Sequence, residues 1–392
     1  MSHFSARIQG LFLVAVLALL GCGSAFAQSN TGIIDLADGT SVTVTPKFNK
    51  AIGFGPAQGQ TNLLTVSPRL PFYSTNYTSL GVKPLPFNIV GTDPSLGAAT
   101  TVIPTVIVPL KFIFPNAPSL PLDGTSVVPA TVNSPMFLTA DYTTGGTDIG
   151  VTQYGDAIQR AEFWNLAGFS QDYHVLLGAP TIAPTVTFTV PTGDGALFRL
   201  RNGGFLGVLR DSYFEGTVLG SLLPSYTANM LPIFVTDNVF LSPAGGLAGC
   251  CVLGFHNSQM APIATAKTWI YTAFTEEGTF RNDAILDVQP LSHEVSEWLN
   301  DPFVGAFPGG INLVAPYVLP GFGGQCQINY ETGDVLEAPP VVFTKTTNGT
   351  LYHLQDEAFV TYFLHTTPSF SVNGFYSFLG TFTSFSKLCG PG

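Results

Sequence analysis

The sequence has little charge, and positive charge is the scarcer sign. Only 10% of the 392 residues are charged, and 14 Lys and Arg stand against 25 Asp and Glu, which gives a formal net charge of −11. The chain has no basic cluster that would neutralise a phosphate backbone or an anionic bilayer. The composition therefore predicts that nucleic acid is not a partner.

Long apolar runs are scarce as well. The run from Leu11 to Leu20 is too short to span a bilayer, and no other stretch reaches that length. The run follows Arg7 and precedes Ala25-Phe26-Ala27, the small-x-small pattern that a signal peptidase cleaves. We therefore predict a signal peptide over residues 1–27, a mature chain that begins at Gln28, no transmembrane segment, and a secreted or periplasmic location.

A second interpretation of the same segment makes Cys22 a lipid anchor. The tetrapeptide Leu19-Leu20-Gly21-Cys22 is close to a lipoprotein box, although the bulky Leu20 stands where a small residue is usual. On this alternative the chain is still exported, but it stays tethered to a membrane by an acyl group.

Cysteine is rare too, with four residues left after the predicted cleavage. An even count in an exported chain predicts two disulfides. Cys250 and Cys251 are adjacent, and a bridge between neighbours is expected to be strained. We therefore expect each of them to pair with Cys326 or Cys389, and the sequence leaves both combinations open.

Strand patterns dominate what is present. The chain contains 42 Gly and 30 Pro, and these punctuate runs of β-branched and aromatic residues. Such runs lie at 41–45, 102–114, 185–190, 233–241, 268–274 and 341–344. Helical periodicity is limited to residues 152–164, 290–300 and 355–364. The sequence therefore predicts a strand-rich α+β fold.

The chain divides, on these patterns, into a β-rich N-terminal region over residues 28–135 and a second part over residues 136–392. The first part is interpreted as a propeptide, a binding module or part of one fold. Pro104 and Pro109 interrupt the longest strand pattern, so we expect that strand to lie at a sheet edge or to carry a bulge.

One short stretch, PLSHEVSEWLNDPF at residues 290–303, concentrates the scarce charge. At about 100° per residue, a helix here has an apolar face and a polar face. Pro290 suits the first turn, and Pro302 predicts that the helix ends at Asp301. The apolar face is made of Val288, Leu291, Val295, Trp298 and Leu299, and the polar face of His293, Glu294, Glu297 and Asp301.

The polar face predicts a metal site. Acidic side chains in a last helical turn face the negative end of the helix dipole, which costs up to about 1 kcal/mol each, and a bound divalent cation offsets that cost. His293 and Glu297 are one turn apart, so both can bind one ion. Glu294 is placed to activate a metal-bound water.

This stretch resembles the zincin metallopeptidases, with Glu297 where their second histidine stands. More closely, SHEVSEWLNDPF followed by CQINYETGDVLE resembles a group of secreted bacterial proteins that carry H-E-x-x-E-x-x-x-D-P and a later E-x-G-D. The resemblance covers roughly residues 254–382 and includes GFHNS, YHLQDEAF and NGFYSFLGTF. It implies that residues 136–392 form a zincin-like core built on one metal-binding helix.

The resemblance also implies roles for particular residues. His293 and Glu297 are expected to bind Zn²⁺, and Glu294 is expected to act as the general base. Because a carboxylate replaces a histidine, Mn²⁺ or another divalent ion is an alternative. For the third ligand we expect one of three carboxylates, in this order of preference: Glu331, Asp334 and Asp301.

Two further elements border the expected cleft. The strand at residues 268–274 resembles the edge strand along which zincins bind an extended substrate. His256 is interpreted first as a structural histidine and second as a group that steadies an oxyanion.

Together these features predict an exported metal-dependent hydrolase, a peptidase that acts on peptide or protein substrates with a metal-activated water. The alternative is a secreted β-rich binding or envelope protein whose metal site is purely structural. A glycan-binding or glycan-cleaving protein is a weaker third interpretation, because it needs two acids facing each other across a cleft.

Overall fold

The computed structural model describes residues 31–48, 69–77, 85–306, 310–319, 325–337 and 341–389. It is 19% helical and 38% strand, which confirms the strand-rich α+β fold. The predicted signal peptide and Cys22 lie outside the described residues.

The described residues form 22 strands. In chain order they are β1 Gly32–Asp35, β2 Ser41–Val44, β3 Phe72–Tyr77, β4 Leu85–Val90, β5 Ala99–Ile103, β6 Thr105–Ile113, β7 Leu122–Asp123, β8 Ala140–Thr144, β9 Thr147–Thr152, β10 Tyr173–Leu177, β11 Thr181–Ile182, β12 Val186–Thr189, β13 Gly195–Arg199, β14 Phe205–Arg210, β15 Leu231–Asp237, β16 Val239–Ser242, β17 Gly254–Ser258, β18 Thr268–Phe274, β19 Leu313–Val318, β20 Cys326–Asn329, β21 Val342–Thr347 and β22 Thr350–Gln355.

Six α-helices accompany the strands in the described residues. They are α1 Val128–Val132, α2 Tyr154–Phe163, α3 Asp211–Tyr213, α4 Gly220–Leu222, α5 Gln289–Asn300 and α6 Val360–Phe363. A π-helical stretch, Phe214–Leu219, joins α3 to α4. The helices predicted at residues 152–164 and 290–300 are confirmed as α2 and α5.

The main sheet has the strand order β11-β6-β15-β18-β17, and β7 and β12 also pair with β6. Strands β6, β15 and β18 run parallel, with Ile233 opposite both Ile107 and Ile270. Strand β17 is antiparallel to β18 and ends the sheet on that side in the part of the chain that is described.

Each face of this sheet packs on a different layer, because successive side chains of a strand point to opposite faces. Ile107, Ile233 and Ile270 belong to the core that also contains the apolar side chains of α2 and α5. Their neighbours Val108, Phe234 and Tyr271 belong to a second core, built with the sheet β13-β14-β16. The helices α2 and α5 therefore lie on one face of the main sheet.

Helix α5 packs on this sheet through the apolar face that the sequence predicts. All five residues of that face are buried in the helix-side core: Val288, Leu291, Val295, Trp298 and Leu299. Burial of each large side chain stabilises the fold by about 1.5–3 kcal/mol. Gly155 of α2 allows the close approach of the two helices, because a Cβ there would lie 2.6 Å from Leu299.

The strand prediction at residues 102–114 was wrong in one respect. It divides at Pro104 into β5 and β6, and β6 lies inside the main sheet instead of at an edge. Two short strands pair with β6 on the side away from β15, which explains how β6 can lie inside the sheet. Strand β11 pairs at Val106 and Ile107, and β12 pairs from Leu110 onward. The partner strand is interrupted beside Pro109, which has no N–H to offer.

The helix predicted at residues 355–364 was also largely wrong. Its first residue ends β22, and only Val360–Phe363 is helical. Pairing of β21 with β22 extends to Val342 opposite Gln355, which holds the chain in an extended form. The Asp356 side chain then accepts hydrogen bonds from the N–H of Glu357 and from the N–H of Leu379, so it binds a distant segment instead of starting a helix.

The region before residue 135 shares its architecture with the rest of the chain. Strand β6 lies between β15 and β11 in the main sheet, and Val90 and Ile103 are part of the helix-side core. The boundary predicted at residue 135 does not separate two sheets. The described part of residues 28–135 thus contributes a strand to the main sheet and side chains to the helix-side core.

Two disulfides are present, but the predicted pairing was wrong. Cys250 is bonded to Cys251, and Cys326 to Cys389. The peptide bond between the two adjacent cysteines is cis, and their Cα atoms are 3.0 Å apart. Neighbouring Cα atoms across a trans peptide are about 3.8 Å apart. Cys326 and Cys389 have Cα atoms 6.0 Å apart, a usual spacing for a disulfide.

None of the helices in the described ranges has the length and apolar character needed to cross a membrane. The paired cysteines are compatible with an extracellular or periplasmic location, where disulfides persist.

Candidate metal centre

Helix α5 is the base of the candidate site, and it begins and ends as predicted. Pro290 lies in the first turn, and Asp301 caps the C-terminus with φ −142°, which is not helical. All 12 helical residues are buried, so the polar face is covered as fully as the apolar one. His293, Glu294 and Glu297 are therefore polar side chains in a buried environment.

Two groups of side chains meet at Glu297, and each has three residues whose ligand atoms lie within 4.8 Å of one another. In the first group, Nε2 of His293 is 3.1 Å from Oε1 of Glu297 and 3.8 Å from Oδ1 of Asp334. In the second group, Nδ1 of His256 is 3.5 Å from Oε2 of Glu297, and its Nε2 is 3.8 Å from Oε2 of Glu331.

These distances fit ligands that share an ion. Ligands bound at 2.0–2.2 Å around a tetrahedral zinc ion lie about 3.4 Å apart. Neither ring nitrogen of His293 makes a hydrogen bond to the described residues, although both are buried. A buried polar group without a partner costs about 1–3 kcal/mol, and a metal bond to Nε2 would remove part of that cost. The His293 ring and Glu297 thus approach closely without being aligned as donor and acceptor.

The segment after β20 covers His293 and Glu297. Gly333 donates its N–H to Oε1 of Glu297 at 3.1 Å. A Cβ on Gly333 would lie 2.3 Å from Nδ1 of His293, so only glycine allows this approach. Asp334 follows at the start of a short 3₁₀ turn, and Gln327 donates to its Oδ2 at 3.0 Å. The short turn and the Gln327 side chain therefore position the Asp334 carboxylate.

Glu294 lies beside the two groups without belonging to either. Its Oε2 is 3.3 Å from Nδ1 of His256, while Oε1 is buried and has no hydrogen-bond partner in the described residues. A Cβ on Gly254 would lie 2.8 Å from Oε1, so β17 approaches this carboxyl closely. Burial raises the pKa of Glu294 to about 8, against the lowering effect of the His256 hydrogen bond.

Negative charge is in excess at the site. Seven carboxyl groups are at most 1% exposed, and the positive charge that faces them comes from His256 and His293. The seven are Glu294, Glu297, Asp301, Glu331, Asp334, Glu337 and Glu357. Buried carboxylates must be protonated or paired with cations. This cluster is therefore suited to hold cationic ligands.

The pKa values of the histidines and carboxyls reflect the same excess of negative charge. Burial acts to lower the pKa of both imidazoles, but the carboxylates around them raise it well above the ordinary value. Burial acts to raise the pKa of Glu297, yet the charges of the two histidines hold it at about 2. Burial, followed by the charge of Glu297, raises the pKa of Glu331 well above the ordinary value. Glu297 is thus the carboxylate that both imidazoles favour in its ionised form.

The structure brings together most of the residues that the sequence selected. His293 and Glu297 meet Asp334, the second choice for the third ligand, while Glu331, the first choice, meets Glu297 from the other side. Asp301 is in neither group, and both of its carboxylate oxygens accept from the N–H of Asn312 at 3.1 Å.

His256, interpreted from the sequence first as a structural histidine, lies among the potential ligands. The signal was the two-residue period of GFHNS, because Gly254 and His256 share the face of β17 toward α5 while Phe255 enters the opposite core. The edge-strand prediction at residues 268–274 was wrong, since β18 lies between β15 and β17. Strand β17, which carries His256, is the edge.

No protein-family model, curated protein sequence or solved structure matches this chain. The functional assignment therefore depends on the chemistry of these residues.

Proposed function

We propose that the chain is an exported metal-dependent hydrolase that cleaves peptide bonds. His293, Glu297 and Asp334 would hold a Zn²⁺ ion, with Mn²⁺ as the alternative. One observation carries the proposal. His293 and Glu297, one helical turn apart, lie close to Asp334, and the Glu294 carboxyl lies directly beside this group.

The residues have distinct roles in this proposal. When bound, the ion supplies Lewis acidity for the scissile carbonyl and for a water molecule. Glu294 takes the proton from the attacking water and passes it to the leaving amine. Gly333 keeps Glu297 oriented through its N–H. His256 lies beside the Glu294 carboxyl, with Nδ1 3.3 Å from its Oε2.

An extended peptide is the substrate that suits this site best. Strand β17 ends the main sheet next to α5, and an edge strand binds an extended peptide by adding it to the sheet. Backbone pairing along β17 would place one peptide bond of the substrate close to the His256 side of the site. This pairing uses backbone atoms, so it does not determine which side chains of the substrate are preferred.

The experiment compares three proteins purified from the periplasm or medium: the wild type, Glu294→Gln and His293→Ala. We expect the wild type and Glu294→Gln to hold the same amount of metal by elemental analysis, and His293→Ala to hold less. Peptide turnover should be lost in both variants. Glu276→Gln, a carboxyl change outside the site, is the matched control and should keep metal and turnover. Turnover that survives in Glu294→Gln would remove the role given to this residue.

The export step has its own measurement. We propose that the signal peptide over residues 1–27 is removed, so that the mature chain begins at Gln28. The intact mass of the exported protein tests this directly. A mass that starts at an acylated Cys22 would instead support the lipid anchor.

A second candidate function has a specific observation in its favour. His293, Glu294, Glu297 and Asp334 are at most 1% exposed, as in a site that serves stability and not turnover. On this candidate the chain is a secreted β-rich binding or envelope protein with a structural metal. Removal of metal would then lower the melting temperature, while no peptide would be cleaved under any metal condition.

A further inference from the structure

We propose that the site holds a pair of divalent transition-metal ions bridged by Glu297. The first ion is that of the proposed function. The second would be bound by His256, Glu331 and the other oxygen of Glu297. The inference uses the metal site of the proposed function, but it does not depend on peptide cleavage.

The two oxygens of Glu297 are already divided between two partners. Oε1 faces Nε2 of His293 at 3.1 Å, and Oε2 faces Nδ1 of His256 at 3.5 Å. A carboxylate whose oxygens face different imidazoles has the geometry of a bridge between ions about 3.5–4 Å apart. A single ion bound through His293 would use only one of these two contacts.

His256 is oriented as a metal ligand. Its Nε2 lies 3.2 Å from the carbonyl oxygen of Asp301. Donation of an N–H to a backbone carbonyl fixes the tautomer of a ligating histidine and leaves the lone pair on the other nitrogen. That other nitrogen, Nδ1, is the one that faces Glu297.

The side chain of Glu331 gives separate evidence that a cation binds on this side of the site. Its side chain is 2% exposed, and Oε2 has no hydrogen-bond partner among the described residues. This oxygen lies 3.8 Å from Nε2 of His256, and the ligand atoms of His256, Glu297 and Glu331 all lie within 4.8 Å of one another. The cost of burying an unpartnered carboxylate oxygen is removed if a cation binds there.

The charge of the site also favours two ions. With neutral, ligating imidazoles, one divalent ion leaves five of the seven formal negative charges of the buried carboxyls uncompensated, whereas two ions leave three. Fewer carboxyls then have to be protonated to remain buried. One imidazole and several carboxylates per ion suit Mn²⁺ or Zn²⁺ better than Ca²⁺, for which imidazole is a poor ligand.

The test loads metal-free exported protein with Mn²⁺ and, separately, with Zn²⁺. We expect two equivalents to bind to the wild type. Two Mn²⁺ ions that share a carboxylate bridge are exchange coupled, so the electron paramagnetic resonance spectrum should differ from that of isolated Mn²⁺. Glu331→Gln, which keeps the shape of the side chain, and His256→Ala should each bind one equivalent and show an isolated ion.

The control is Glu276→Gln, which should bind two coupled ions as the wild type does. One equivalent in the wild type, or two ions without coupling, would overturn the proposal. If both site variants fail to fold, the coupling in the wild type decides alone. Two coupled ions without peptide turnover would keep the pair and refute hydrolysis. One ion with turnover that depends on Glu294 would do the reverse.

Discussion

Replacement of Gly333 by alanine tests whether the segment after β20 positions His293, a proposed metal ligand. The backbone at Gly333 has φ −87° and ψ −33°, which any residue can adopt. Only the contact with His293 opposes the change, because the new Cβ would lie 2.3 Å from Nδ1 and 2.4 Å from Cε1. The variant therefore separates side-chain crowding from backbone strain.

The size of the effect follows from that distance. Ordinary contacts of a Cβ are 3.4 Å or longer, so the ring or the segment must move by about 1 Å. Ligand positions in metal sites tolerate deviations of only about 0.2 Å. We expect metal affinity to fall by at least about 10-fold. The metal-free protein should lose about 1–3 kcal/mol of unfolding free energy from overpacking.

Competition with a chelator measures the affinity, and denaturant unfolding of the metal-free protein measures the stability. Gly246→Ala is the matched control, because a Cβ there meets nothing within 4 Å and the backbone does not have a positive φ. It should bind metal as the wild type does. If Gly333→Ala binds metal with wild-type affinity and unfolds at the same denaturant concentration, our account of how His293 is positioned is incorrect.

Three further changes have separate outcomes. Gly254→Ala should lower peptide turnover while metal content is kept, because the new Cβ would displace the carboxyl of Glu294 and no ligand; equal loss of metal in the elemental analysis would contradict this. Replacement of Cys326 and Cys389 by serine removes a bridge across a separation of 63 residues and should cost about 4 kcal/mol in denaturant unfolding; a change below about 1 kcal/mol would show that the bridge does little. Burial raises the pKa of Glu162 from 4.5 to about 7, so its contribution to stability is complete below pH 4.5 and is lost as pH rises through 7, on the order of 3 kcal/mol. Glu162→Gln should flatten that part of the stability profile, and an unchanged slope in unfolding experiments at several pH values would refute the assignment.

Helix α5 and the residues of its two faces could be predicted because their signals are local. Pro290 and Pro302 mark the ends of the helix, and a spacing of four residues places His293 above Glu297. These relations hold in any protein that contains the segment. The helix and both of its faces therefore followed from the sequence.

The rest of the site depends on distant contacts that the sequence does not contain. Whether Glu331 or Asp334 meets His293 is decided by the path of the backbone at Gly333, which packs against a ring 40 residues away in the chain. His256 reaches the site because β17 pairs with β18 beside α5. Register and packing of this kind are set by the whole fold.

The cysteine pairing failed for a different reason. The prediction disfavoured a bond between Cys250 and Cys251 because a bridge between neighbours is expected to be strained, and the structure has that bond with a cis peptide between the two residues. Cis bonds without proline are rare, so sequence patterns give no reason to expect one. The helix predicted over residues 355–364 failed because strand pairing with β21 outweighed a weak helical periodicity.

The potential ligands come from three separate places: β17, helix α5 and the segment after β20. In the described part of the chain, no short peptide contains all three potential ligands of one group. An ion would therefore bind only after α5 has packed on the sheet and the segment after β20 has packed on α5. A chain that crosses a membrane unfolded would arrive without metal. The supply of ions at its destination, and not in the compartment of its synthesis, would then determine which element it carries.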